Sequence, residues 1–328
     1  MIVLGFETSC DETSVAVVKG SAVLSNVIYS QISEHAPFGG IVPEIASRDH
    51  IRKIALLTQK ALTNANLSIE QIEAVAVTSQ PGLIGALLVG VSFAKSLAYS
   101  NSIPFIGVDH LKAHLYSIFL ETAVSFPFIG LTVSGGHTNL TLVKDFLVEE
   151  VVGNTYDDAA GEVFDKVANR LKLGYPGGPK LELFAKDGNP KAINFPRPLL
   201  NSKKEEDAFN FSFSGLKSSV VNYLNNNKES SIKDVAASFQ EAITDVLYEK
   251  LYKCAKKYNV RNVVVAGGVA CNEALRKKIF ENFEKRGYNV FFPSSTYCTD
   301  NAAMIAYLGG KYLENGQMSS LSLGANSK

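Results

Sequence analysis

Two histidines with four-residue spacing, His110 and His114, are the residues in this sequence whose pattern first suggests chemistry. Positions four apart lie on one face of a helix, so both imidazoles can reach a single ion. The spacing is similar to that of the zinc-protease motif HExxH, but position 111 is Leu. The general-base glutamate is missing, which argues against peptide hydrolysis. A third donor would turn the pair into a site. Asp300, in Cys298-Thr299-Asp300-Asn301 just before an expected helix, is the candidate. Two imidazoles and one carboxylate leave positions open for a phosphate or substrate oxygen, and suit iron, zinc or manganese alike.

Four further groups have chemical potential, and each also has a plain structural reading. Ser134-Gly135-Gly136-His137-Thr138 joins two expected strands; its glycines let backbone amides approach an anion, although Gly-Gly is also an ordinary hairpin turn. Ala266-Gly267-Gly268-Val269-Ala270, followed by Asn272, lies between a strand and a helix and suits a ribose or base. It does not match GxGxxG, so a dinucleotide fold is not indicated. Glu7 to Ser14 (ETSCDETS) places acids and hydroxyls on a turn, where they could order a metal–phosphate group or take a proton. Asp157 to Lys166 (DDAAGEVFDK) opens a helix; the helix dipole is reason enough for Asp157 and Asp158, but Glu162 and Asp165 need another.

The elements that must position these groups form a repeated pattern. Strands are expected over 2–6, 15–18 and 21–29, a helix over 44–65, a strand over 74–78, a helix over 83–99, a strand over 104–108 and a helix over 111–119. The pattern then restarts, with strands over 128–133, 138–143 and 146–152 and a helix over 158–171. A Gly-, Pro-, Asn- and Lys-rich stretch with weak signals follows, from about 173 to 211. Beyond it come helix 235–258, strand 262–266, helix 272–286, strand 290–292 and helix 302–313. Gly85 and Gly90 inside an apolar helix cost ~1 kcal/mol each against alanine, and make sense only where another element packs closely. The hairpin-rich start followed by alternation occurs twice, so the expectation is an α/β protein of two similar lobes with a cleft for a nucleotide. The lobes are read as 1–118 and 119–300, with an insertion near 173–230, and 301–328 returns to the first.

With 328 residues, two domains are expected. Lys plus Arg and Asp plus Glu are 32 each, so no global basic excess marks a nucleic-acid binder, and any RNA surface must be local or shared with a partner. The four cysteines, Cys10, Cys254, Cys271 and Cys298, form no CxxC pair and fit a reducing compartment. The N-terminus does not read as a signal peptide, and the longest apolar run, 83–94, is short of a membrane span. A cytoplasmic protein without membrane contact is the expectation.

Taken together, the motifs ETSCDET (7–13), GGIVPEIA (39–46), HLKAH (110–114), VSGGHT (133–138), DDAAGEVFDK (157–166), YPGGP (175–179), FSFSGLK (211–217), AGGVACN (266–272) and CTDN (298–301) resemble one family. It is the universal family of tRNA threonylcarbamoyladenosine-forming transferases, the TsaD family in bacteria, and the resemblance covers nearly the whole chain. It implies the actin, sugar-kinase and heat-shock-ATPase superfold. It implies transfer of a threonylcarbamoyl group from threonylcarbamoyl-AMP to the exocyclic amine of the adenosine 3′ of the anticodon in ANN-decoding tRNAs. By resemblance, His110, His114 and Asp300 hold one divalent metal, iron or zinc ahead of magnesium. Val133, Ser134, Gly135, Gly136 and His137 contact the phosphate end of the adenine nucleotide, whether threonylcarbamoyl-AMP, ATP or AMP. Asp165, Gly178, Glu182 and Asn272 hold its ribose and adenine. Asp11 and Glu12 are needed for turnover. The implied partners are tRNA, a paralogous same-fold subunit (TsaB) and a small P-loop ATPase (TsaE). Cys271 stands where the family commonly has Ala or Ser, and Asp109 precedes the first histidine; neither is an implied ligand.

Three rival readings remain. A metalloprotease needs a Glu where Leu111 stands. An ATPase or small-molecule kinase of the same superfold would bind phosphates through Mg²⁺ and carboxylates without histidines. A non-catalytic paralogue would have lost the metal set that this chain keeps.

Overall fold

A computed structural model describes residues 1–328. In chain order the elements are β1 (Ile2–Glu7), β2 (Glu12–Lys19), β3 (Ala22–Ser30), α1 (Ile32–His35), α2 (Pro43–Asn64), β4 (Ala74–Gln80), α3 (Ile84–Asn101), β5 (Phe105–Asp109) and α4 (His110–Tyr116). Then follow β6 (Phe128–Val133), β7 (Thr138–Asp145), β8 (Val148–Asn154), α5 (Ala160–Arg170), α6 (Gly177–Ala185), α7 (Ser214–Asn226), α8 (Ile232–Lys257), β9 (Asn262–Ala266), α9 (Glu273–Glu284) and β10 (Asn289–Phe291). The chain ends with α10 (Ser295–Cys298) and α11 (Ala302–Glu314).

Two units divide the chain. Unit 1 is Met1–Ala123 with Pro293–Lys328, and unit 2 is Val124–Phe292. The divisions at 123/124 and 292/293 stand against the 118/119 and 300/301 read from the sequence. The short helical turn Ser117–Leu120 packs with α4 and α11, and the Glu121 carboxylate accepts a bond from the Ser294 amide (2.7 Å), so both stretches belong to unit 1.

The repeated pattern is a repeated topology. In unit 1 the strand order is β3-β2-β1-β4-β5, and in unit 2 it is β8-β7-β6-β9-β10. Each sheet begins as an antiparallel meander of three strands and continues with two parallel strands beside the first. Parallel neighbours need helical crossovers, which is why α2, α3, α8 and α9 intervene. The α/β class is as expected.

The parallel strands read as near-continuous apolar runs because both faces are covered. Val75, Ala76 and Val77 of β4 and Val263, Val264 and Val265 of β9 are fully buried. In unit 1 the core joins Leu4, Phe6, Val15, Val17, Ile54, Val75, Val77 and Val91. The returning α11 lies on the other face of this sheet. A Cβ at Gly5 would sit 2.5 Å from the Ala302 carbonyl oxygen and 2.8 Å from the Ala306 methyl, so only glycine lets α11 approach β1 this closely. Gly85 and Gly90 of α3 likewise have close neighbours, Ser47 and Thr8. No helix is long and apolar enough to cross a membrane.

The insertion read near 173–230 contains two helices, α6 and α7, that the sequence reading lacks. Their ends are fixed from a distance. Asp157 accepts bonds from the Ser212 and Ser214 hydroxyls (2.6 Å each) and from the Phe213 and Ser214 amides (2.8 and 3.2 Å), which anchors the start of α7. The helix-dipole account of Asp157 is therefore replaced, since α5 begins only at Ala160. Asp158 pairs with Lys166 and Lys217. The rest of the insertion is held by Lys250 of α8. This lysine is 1% exposed, and its ammonium donates to the carbonyls of Leu199 (3.0 Å), Ala208 (3.3 Å) and Asp207.

Replacing Lys250 with Met should leave those carbonyls without this donor. The expected cost is about 3 kcal/mol in denaturant unfolding, with faster proteolytic nicking near residues 199–208. Unchanged stability and nicking would show that the lysine does not anchor the segment.

Candidate functional site

In a sheet with parallel strands, the loops beyond the carboxyl ends are where ligands bind. In unit 1, β1, β4 and β5 run side by side, and their carboxyl ends carry Glu7, Thr78 to Gln80, and Asp109. The chain then turns directly into α4. Asp109 is its N-cap, with Oδ1 accepting from the amides of Leu111 (2.9 Å) and Lys112 (3.0 Å). That cap fixes His110 as the first helical residue and His114 one turn later on the same face.

Asp300 arrives with the returning segment. Asn301 caps α11, its Oδ1 accepting from the Met304 amide (3.1 Å), and the Ala302 amide donates to the Ser14 hydroxyl (2.9 Å). These bonds set Asp300 against α4. His110 Nε2 and His114 Nε2 are 3.1 Å apart, His114 Nε2 and Asp300 Oδ1 are 3.0 Å apart, and His110 Nε2 and Asp300 Oδ1 are 3.5 Å apart. Three donor atoms thus converge across a large sequence separation. At metal–ligand distances of ~2.1 Å, the edge of a coordination tetrahedron is ~3.4 Å, so the spacing fits one divalent ion. The histidines are buried and Asp300 is partly exposed, which leaves one side open.

Glu7 lies behind His110, wholly buried. Its Oε2 is 2.9 Å from His110 Nδ1 and accepts from the Thr78 hydroxyl (2.6 Å), while Oε1 accepts from the Ser9 amide (2.5 Å). Burial pushes the Glu7 carboxyl up, but the adjoining His110 outweighs it and the net direction is down. Burial pushes His110 down, and the Glu7 and Asp300 carboxylates override this to raise it to about 9. An ion bound there therefore displaces a proton.

Asp11 and Glu12 follow the same strand end. The turn carrying them is clamped by its carbonyls: Ser9 O accepts from the Leu83 amide (2.8 Å), Cys10 O from His50 Nε2 (2.9 Å), and Asp11 O from the Gln31 amide (2.9 Å). With His50 Nε2 donating, its Nδ1 accepts from the Thr13 hydroxyl (2.8 Å). Burial lowers the pKa of this imidazole, consistent with a neutral ring. Burial, with the charges of Asp300 and Asp11, pushes Glu12 up to about 10.

In unit 2 the corresponding strand ends present backbone rather than charge. Val133 ends β6 and is buried. The turn after it is closed by the Ser134 amide on His137 O (2.9 Å) and the His137 amide on the Ser134 hydroxyl (3.2 Å), and Gly135 and Gly136 face open space. Gly267, after β9, has φ +97° and lies against the Val133 carbonyl, which no side chain would permit. Asp165 and Glu182 bind amides at the starts of α6 and α9, where Gly178 and Asn272 lie. Asp165 Oδ1 accepts from the amides of Gly177 (2.8 Å) and Gly178 (3.2 Å) at the start of α6. Glu182 Oε1 accepts from the Glu273 amide (2.6 Å) at the start of α9, where Asn272 is the N-cap and also donates to Gln240 (2.9 Å). Burial raises the Glu182 pKa.

The sequence reading singled out neither Glu7, Ser9 and Thr78 as a group nor His50. Their partners lie far away in sequence, and only the strand order brings them together.

Glu12 gives a pH prediction. Its folded pKa is raised, so the folded protein holds a proton that the unfolded chain gives up near pH 4.5. The resulting penalty is absent at low pH and grows as pH rises toward about 10. Metal-free Glu12→Gln should match the wild type in thermal stability near pH 4 and exceed it near pH 8. Equal stability at both pH values would refute the shift.

The chain matches known proteins along nearly its whole length. The family profile described as TsaD, tRNA N6-adenosine threonylcarbamoyltransferase, matches residues 22–307. The tRNA N6-adenosine threonylcarbamoyltransferase of Geotalea uraniireducens (strain Rf4) is 48% identical over 330 residues, covering 99% of this chain and 95% of that protein. The one of Syntrophotalea carbinolica (strain DSM 2380 / NBRC 103641 / GraBd1) is 49% identical over 332 residues, covering 100% and 96%. Among solved structures, HypF of T. kodakarensis shares the fold with a TM-score of 0.66 at 17% identity, over 96% of this chain and 48% of that one. A match of this identity, sustained almost from end to end, makes the chain a member of the TsaD family, the tRNA N6-adenosine threonylcarbamoyltransferases.

Proposed function

We propose that this transferase moves the threonylcarbamoyl group of threonylcarbamoyl-AMP to the exocyclic amine of the adenosine 3′ of the anticodon in ANN-decoding tRNAs, assisted by one divalent metal. The observation that carries the metal part is the spacing of His110, His114 and Asp300, whose donor atoms stand one coordination edge apart. Iron or zinc suits two imidazoles and a carboxylate better than magnesium does, since magnesium prefers oxygen donors. When bound, such an ion supplies Lewis-acid polarisation of the acyl phosphate or carbamoyl oxygen and neutralises charge on the departing AMP.

The remaining roles fall to the chain's own groups. The Asp11 carboxylate takes the proton from the attacking amine, and the clamped turn holds it in place. Glu12 is the second acid needed for turnover. Amides of the turn from Ser134 to His137, with Val133 before it, stabilise charge at the phosphate end of the nucleotide. Asp165, Gly178, Glu182 and Asn272 hold the ribose and adenine. Asp165 and Glu182 act partly by fixing the helix starts that border this position. The working assembly contains a paralogous same-fold subunit and a small P-loop ATPase, in the cytoplasm. The balanced charge of the chain fits a tRNA surface shared with those partners.

The test is a transfer assay with the purified protein, its two partners, threonylcarbamoyl-AMP and unmodified ANN-decoding tRNA, read by nucleoside mass spectrometry. Wild type should form threonylcarbamoyladenosine, and His110→Ala/His114→Ala should lose both product and bound metal. Asp11→Asn should keep nucleotide binding and lose turnover by ~10²-fold or more. No product from the wild type, with nucleotide bound and the assembly formed, would favour an ATPase or kinase of the same fold.

A further inference from the structure

Glu7 has the connections of a group that prepares a metal ligand without touching the metal. We propose that Glu7 is a positioning residue for the metal centre: its carboxylate fixes His110 in the tautomer with the proton on Nδ1, which turns the Nε2 lone pair toward the ion. The inference rests on the metal reading above and adds a residue to it.

The argument is one of donors and acceptors. A carboxylate only accepts, and both Glu7 oxygens already take protein donors, the Ser9 amide on Oε1 and the Thr78 hydroxyl on Oε2. His110 Nδ1, 2.9 Å from Oε2, must therefore be a donor as well. The other ring nitrogen of His110 is the one that converges with His114 and Asp300. A carboxylate behind a ligating histidine locks the ring and makes its free nitrogen more basic. Glu7 has no exposed surface, so this arrangement does not exchange with water. His114 provides the contrast: its Nδ1 is buried with no hydrogen-bond partner, so nothing behind that ring plays the part Glu7 plays for His110. The two histidines are thus unequal, with His110 the anchored donor. Glu7 also holds the Ser9 amide, which opens the turn carrying Asp11 and Glu12, so the same carboxylate ties that turn to the metal ligand.

The test uses the full-length protein with ¹⁵N-labelled histidine rings, loaded with Zn²⁺. His110 should be metallated through Nε2 and show a downfield, slowly exchanging Nδ1 proton, with no equally protected proton on His114. In Glu7→Gln the amide must set an NH₂ against a donor on one side. Zn²⁺ affinity, measured by competition with a chromophoric chelator, should fall by about 10- to 100-fold, and the protected proton should be lost. A Glu7→Gln protein with wild-type affinity would overturn the proposal. If that variant does not fold, the wild-type spectrum decides: a His110 metallated through Nδ1, or lacking a protected Nδ1 proton, overturns it too. A wild type that takes up no Zn²⁺ removes the metal reading, and the proposal falls with it.

Discussion

A carboxylate with no access to water needs several donors to stay ionised, and Glu7 finds them because three parallel strands end together. The effective cost of burying such a charge is several kcal/mol, and a partner set with good geometry must offset it. β1 brings the carboxylate, β4 the Thr78 hydroxyl, and β5 leads straight into the helix that starts at His110. The next residues of the chain add the Ser9 amide. Strand order is therefore more than a scaffold here. A different order would leave the acid buried without its partners, and His110 would have nothing behind it.

The second unit repeats the strand order but places a different chemistry at the same ends. Beyond β6 and β9 are glycines, amides and short turns rather than buried acids and imidazoles. Gly267 can pass against the Val133 carbonyl because it has no side chain and accepts a positive φ. One topology thus supports charged side chains in one unit and bare backbone in the other. The first suits a cation, the second a phosphate or sugar that must approach the main chain closely.

Much of this was legible in the sequence, for identifiable reasons. Strands 128–133 and 262–266 match to the residue, because each is a compact buried run bounded by residues that break it. The His110–His114 pair is visible through helical spacing alone. Asp300 is visible only as a candidate, since nothing local connects it to residue 114. Helix α6 was not readable: it starts with Gly177-Gly178-Pro179, and its first amides are satisfied by Asp165 from the preceding helix. Helix α7 is anchored in the same way by Asp157. In the sequence Glu7 reads as one acid in a polar turn, whereas it is the last residue of a strand with its partners at positions 78 and 110.

The route of the chain bears on how the centre is assembled. Unit 1 is interrupted by unit 2, and the third donor, Asp300, lies in the segment that comes back afterwards. During synthesis, both histidines emerge long before the carboxylate that joins them. A nascent or truncated chain ending before residue 300 has two imidazoles and an unclosed β1 surface at Gly5, so it cannot retain an ion with the full donor set. Closure of the His110–His114–Asp300 cluster is thereby tied to chain completion, because the three side chains can meet only after the returning segment has been made.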